Sequence, residues 1–151
     1  MISCTEFIPM YSHLFTFIEK KSGYDAVVEY WKNVREKYTR PMLGEIAKEE
    51  GVAACWDYWS TTLNEEAADF RMTYDDETGV YEAEMRYCPS RGRLEEMTHV
   101  TPFHDYCGHC RVLYAPILEE YGAVCDNNFE YTGTAGCKWA FHGEPRPVKH
   151  P

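Results

Sequence analysis

The chain has 151 residues, 44% of them apolar and 15% aromatic, which is ample for one hydrophobic core, so it reads as a single domain spanning 1–151. Its 25 acidic residues against 15 basic ones leave a net charge of −10, which excludes phosphate backbones and anionic membrane surfaces as partners: no nucleic acid, no membrane. No apolar run approaches the roughly eighteen residues of a membrane span, Met1-Ile2-Ser3-Cys4-Thr5-Glu6 lacks the basic start and apolar stretch of an export signal, and seven cysteines, an odd number, point to reduced thiols in the cytoplasm.

Phe7, Tyr11, Leu14, Phe15 and Ile18 recur at helical spacing and predict a first helix, stopped by Ser22-Gly23 after Lys20 and Lys21. Tyr24, Val27, Val28, Trp31 and Val34 predict a second. Pro41 suits the first turn of a third, short helix that carries Met42, Leu43 and Ile46 and closes at Gly51. Val52, Cys55, Trp56, Trp59 and Leu63 line one face of a fourth. From Ala68 the period changes, and segments 70–74 and 80–87 flank Asp75-Asp76-Glu77-Thr78-Gly79, a β-hairpin pattern. That acidic turn has neither the length nor the ligand spacing of a calcium loop and reads as solvated. Cys88-Pro89-Ser90-Arg91-Gly92 ends the second strand and opens a mixed connection up to Pro102. Tyr106, Cys110, Leu113, Tyr114, Ile117, Leu118 and Tyr121 predict one more helix, capped by Asp105 and stopped at Gly122. Two short strands follow near 124–131 and 137–141, with Gly133 and Gly136 at their turn. A Pro-containing tail, 143–151, follows an ordered core of about 7–142. The expected class is α+β: N-terminal helices packed on a small antiparallel sheet, with the further helix carrying Cys107-Gly108-His109-Cys110 crossing it.

That tetrapeptide carries the chemistry. Two thiols three apart at a helix start serve redox, nucleophilic or metal chemistry, and in the first turn the helix dipole and unpaired N–H groups favour the thiolate of Cys107. In the catalytic reading Cys107 is the nucleophile, His104 or His109 stands beside it, and Asp105 is either a base or the helix cap. In the metal reading Cys88, Cys107, Cys110 and Cys137 form a tetrahedral thiolate site for zinc, with His104 or His109 as alternative ligands. Against both stands the reading in which these are separate, partly buried thiols packing as small hydrophobes. Tyr30, Trp31, Trp56, Tyr58 and Trp59 read first as core, because the tryptophans fall on the apolar stripes, and second as the lining of a ligand pocket. Exposed aromatic surface is the basis for expecting a homodimer.

The four letters CGHC also occur in protein disulfide isomerases, but the likeness is local. The approach His99-Val100-Thr101-Pro102-Phe103-His104 carries a proline that a central strand does not accept. Only 41 residues follow Cys110, too few for the rest of a thioredoxin-like fold, and Pro116 falls one residue late. A longer likeness runs through SHLFTFIEKKSGYDAVVEYW, CPSRGRL, DYCGHCRVLYAPILEEYG and GCKWAF, which span about Tyr11 to Phe141 and in that order resemble the L-2-amino-thiazoline-4-carboxylic acid hydrolase-like family. The resemblance implies hydrolytic opening of a thiazoline ring, a cleavage of a non-peptide carbon–nitrogen bond. What the resemblance implies for residues is limited to Cys88, Asp105, Tyr106, Cys107, Cys110 and Cys137 within those motifs. The layout also resembles four-vinyl-reductase-type small-molecule-binding domains, in which cysteines hold zinc, by architecture alone. The expected function is hydrolysis of a small cyclic amidine or amide, a thiazoline-carboxylate-like substrate, by a thiolate or thiolate-bound metal. The alternatives are a non-catalytic binding or sensor domain with a structural zinc–cysteine site and, third, a thiol-disulfide oxidoreductase.

Overall fold

A computed structural model of the chain describes residues 4–65, 68–133 and 135–149. The first two helical stripes become α1 (Cys4–Ser22) and α2 (Tyr24–Val34), which pack together across Gly23, whose φ of 85° suits a residue without Cβ. The expected helix start at Pro41 is corrected by the structure. The chain does not break there but continues from α2 into a wide π-helical stretch, Arg35–Gly44, with Pro41 inside it. In an α-helix the proline ring meets the carbonyl four residues back, and the wider π turn relieves that clash. Then come α3 (Glu45–Glu50), a 3₁₀ turn (Gly51–Ala53) and α4 (Ala54–Thr62).

The hairpin forms as expected, from β1 (Asp69–Asp75) and β2 (Val80–Tyr87). Its acidic turn is explained locally: Asp75 Oδ1 accepts the N–H groups of Glu77 and Thr78 at 2.9 and 3.1 Å. Gly79 closes the turn with φ 69°, and a Cβ there would fall 2.3 Å from the carbonyl oxygen of Gly143. Gly79→Ala is therefore expected to cost about 1–3 kcal/mol of stability, seen as a lower urea midpoint at unchanged m-value.

The stretch after Cys88, expected as a mixed connection, holds a helix, α5 (Pro89–Glu96). Cys88 is its N-cap, accepting the Arg91 N–H on Sγ at 3.4 Å, and Pro89 occupies the first turn, where a missing N–H costs nothing. The single helix expected over 106–121 is two: α6 (Gly108–Leu113) and α7 (Ala115–Glu120), broken at Tyr114. Pro116 has no N–H for the carbonyl of Val112, and the Arg35 guanidinium takes that carbonyl instead at 3.3 Å. Asp105 is not the cap either. Cys107 holds the N-cap position, because Asp105 is spent in the preceding turn, where its carbonyl accepts Gly108 N–H and its carboxylate accepts the Tyr24 hydroxyl at 2.5 Å.

β3 (Val124–Gly133) and β4 (Gly136–His142) complete an antiparallel sheet in the order β1-β2-β4-β3. Alternation along β2 and β4 puts Tyr81, Ala83, Met85, Trp139 and Phe141 on a buried face and Glu82, Glu84 and Lys138 on the other, so the sheet is covered on one side only. The covered face joins Leu43, Val52, Cys55, Trp59, Ile117 and Leu118 in one core. A second core, Phe15, Val27, Trp31, Leu94, Phe103 and Tyr106, sits among α1, α2 and α5. The arrangement is α+β. The tail is tied down: Tyr74 Oη donates to the Arg146 carbonyl at 2.7 Å, Arg146 Nη1 to the Glu49 carbonyl at 2.8 Å, and Lys149 Nζ pairs with Glu49 at 2.7 Å. Among the described residues no helix is long and apolar enough to cross a membrane.

Candidate active site

Where the two cores meet, their side chains leave a cavity of about 640 Å³. α1 supplies Phe7, Ile8 and Tyr11; α4 and the turn after it supply Tyr58, Trp59, Thr62 and Leu63; the sheet supplies Met85, Phe129, Cys137 and Trp139. The start of α5 adds Cys88, Pro89 and Ser90, and the segment around α6 adds Tyr106, His109, Cys110 and Tyr114. A second space of about 50 Å³ adjoins it, sharing Cys88, Ser90, Tyr106, His109, Cys110, Phe129 and Cys137 and adding Cys107, Arg91 and Tyr131.

All four cysteines expected to converge therefore border this smaller space. The strand end, the α5 cap, the α6 start and the β3–β4 hairpin bring them there, with Cys137 opposite Met85 in the β2–β4 register. They do not form a finished metal shell: among the described residues no group of three or more His, Cys, Asp or Glu side chains is arranged to hold an ion. A soft, all-thiol donor set is nonetheless one that zinc accepts.

Cys110 and His109 form a thiol–imidazole pair, with Sγ and Nε2 3.5 Å apart. The imidazole tautomer follows from its other contact. Nδ1 meets the backbone carbonyl of Tyr106, which only accepts, so Nδ1 carries the proton and Nε2 offers its lone pair to the Cys110 S–H. Burial lowers the His109 pKa, with the Tyr106 carbonyl opposing, so the ring stays neutral. A neutral imidazole fixed by a carbonyl and facing a thiol is positioned to take that thiol's proton.

The expected helix-start activation of Cys107 meets an opposing force. Burial, and then the neighbouring Cys110, push the Cys107 thiol up to about 11, with Arg91 only partly offsetting them. Burial raises Cys110 to about 12 and Cys137 further still. Burial likewise raises Tyr11, Tyr58, Tyr106 and Tyr114, so these hydroxyls stay protonated. A thiol whose pKa rises on folding stabilises the fold fully below its unfolded value, about 8.5, and loses that contribution as pH climbs toward the folded value. Metal-free protein is accordingly expected to hold its stability up to about pH 8.5 and to lose it progressively toward pH 11–12, as urea midpoints measured across that window would show.

Two expected site residues lie elsewhere. His104 is exposed and pairs through Nε2 with Glu19 at 2.8 Å, and Asp105 holds Tyr24; neither borders the cavity. His99 borders an outer groove along α1, with Tyr30, His13 and Phe17. Of the remaining aromatic cluster, Trp31 is core and Trp56 half-buried, while Tyr58 and Trp59 line the cavity. The lining residues not singled out from sequence include Tyr11, Ser90, Tyr114, Phe129 and Trp139. Tyr11 and Tyr114 lay in plain view on helical stripes, where an aromatic residue reads as core.

The site thus belongs to an α+β domain with an aromatic cavity floored by thiols and one neutral histidine. Comparison with protein-family models, with curated proteins and with solved structures finds no match to the chain.

Proposed function

We propose that the protein is a hydrolase of carbon–nitrogen bonds in small cyclic amides or amidines, acting inside this cavity. The observation that carries the reading is the Cys110–His109 contact at the cavity wall, with the imidazole tautomer set to accept the thiol proton. Cys107 borders only the smaller space, so the nucleophile's part passes to its neighbour in the same motif. Cys110 Sγ attacks the ring carbon as its proton moves to His109 Nε2, forming a carbon–sulfur bond. The imidazolium returns the proton to the departing nitrogen as the carbon–nitrogen bond breaks, and water then cleaves the thioester-like intermediate and restores the thiol. The reading agrees with the resemblance to the thiazoline-carboxylate hydrolase-like family and with a reducing, cytoplasmic setting for the thiols. Hydrolysis of a panel of cyclic amides and amidines is expected to vanish in Cys110→Ala; full turnover in that variant sinks the reading.

A second reading has its own support in the four cysteines around one small space: a zinc ion held by Cys88, Cys107, Cys110 and Cys137 as structural cement of a binding domain. Native mass spectrometry of fresh protein tests it. A stoichiometric metal whose chelation unfolds the chain, with no amide hydrolysed, favours this reading over the first.

A further inference from the structure

Three features of the large cavity restrict what it can hold. The first is charge. Among the described residues none that lines it is Asp, Glu, Lys or Arg. Arg91, the one cationic residue bordering either space among the described residues, borders the smaller one, pairs with Glu95 at 2.7 Å and lies over the Tyr131 ring. A carboxylate brought into the large cavity leaves its hydration shell and meets no counter-charge, which is costly. The second is size. About 640 Å³ falls in the range of roughly 300–1,000 Å³ typical of drug-sized ligands. A lone five-membered ring would leave much of that space to water against aromatic walls. The third is surface. The half-buried rings of Tyr11, Tyr58 and Tyr114 line the space, backed by the buried Trp59, Phe129 and Trp139, an aromatic lining that suits planar molecules.

We infer that the natural ligand is a neutral, planar molecule of two or three fused rings, in the form of an aryl-fused cyclic amide or weakly basic amidine, rather than a small carboxylate. The inference rests on the reading that this cavity is the substrate site, and it narrows the thiazoline-carboxylate expectation. The ring system lies against Tyr58 and Tyr114, and its amide or amidine edge faces Cys110, His109 and the Ser90 and tyrosine hydroxyls, all uncharged hydrogen-bonding groups.

Binding is measured in the Cys110→Ser variant of the 151-residue chain, which separates it from turnover. The probes are quinazolin-4-one, its ring-carboxylated derivative and 2-aminothiazoline-4-carboxylate, with the fluorescence of Trp59 and Trp139 as the built-in reporter. The neutral bicycle is expected to bind about tenfold or more tighter than either carboxylate. Thr62→Trp, which fills the cavity, is expected to abolish its binding. If that variant fails to fold, protection of wild-type Cys110 from iodoacetamide by the bicycle locates the site instead. Equal or tighter binding of a carboxylate overturns the inference, as does a bicycle that neither quenches nor protects. A bicycle that binds here but is not hydrolysed by the wild-type protein leaves the inference standing and removes the hydrolase. A carboxylate bound and hydrolysed does the reverse.

Discussion

Replacing His109 with Gln is expected to slow hydrolysis by about 10²–10⁴-fold, the usual contribution of a positioned proton acceptor. Glutamine keeps much of the bulk and can still donate to the Tyr106 carbonyl, so the fold survives, but it offers no basic nitrogen to Cys110. Two readouts separate this from mere loosening of the site. The Cys110 alkylation rate at neutral pH should fall alongside turnover, because the buried thiol, with its pKa raised to about 12, depends on the imidazole to lose its proton. The affinity for a non-hydrolysed ligand should change little. A His109→Gln protein with normal turnover would remove the imidazole from the mechanism, whatever Cys110 does.

The largest structural penalty is expected at Trp59. Its ring is 3% exposed and lies within 6.4 Å, centroid to centroid, of Tyr81, Tyr114, Phe129, Trp139 and Phe141, where it joins α4 to the sheet. Trp59→Ala removes all of those contacts and enlarges a cavity already present, so the surroundings have little to collapse onto. A loss of about 3–5 kcal/mol follows, a large share of the roughly 5–15 kcal/mol that holds a domain together. Urea unfolding of the two proteins measures it. Trp59→Phe keeps an aromatic ring against the sheet and should cost markedly less.

The stripe of α1, the hairpin and the β3–β4 pair were legible because each ends or turns at a glycine, and the stripe of α2 because its period is unbroken as far as Val34. Apart from the Asp105 cap, what escaped was tied to proline. Pro41 reads as a helix start but sits in a π-helical stretch that absorbs it. Pro89 reads as the end of a strand but opens α5. Pro116, inside an otherwise continuous stripe, divides α6 from α7, and the carbonyl it strands finds Arg35, a partner 77 positions away that no local pattern announces. The site divides the same way. Cys88, Cys107, Cys110 and Cys137 were readable as a set because thiols stand out by chemistry. The aromatic walls were not: a ring that lines a cavity and a ring that fills a core occupy the same face of the same helix. The Cys110–His109 partnership was hidden as well, since it depends on where Tyr106 aims its carbonyl.

The strand order has a consequence for synthesis. β4 is the last strand of the described chain, yet it lies inside the sheet, between β2 and β3. While the chain emerges from the ribosome, the β1–β2 hairpin is complete early and presents the bare backbone edge of β2, which β4 later pairs from Val80 to Met85, until that strand arrives. An open edge beside an apolar face invites pairing with other nascent chains. The acidic surplus of the chain, and the Glu82 and Glu84 side chains carried by β2 itself, supply the like-charge repulsion that keeps such chains apart during that interval.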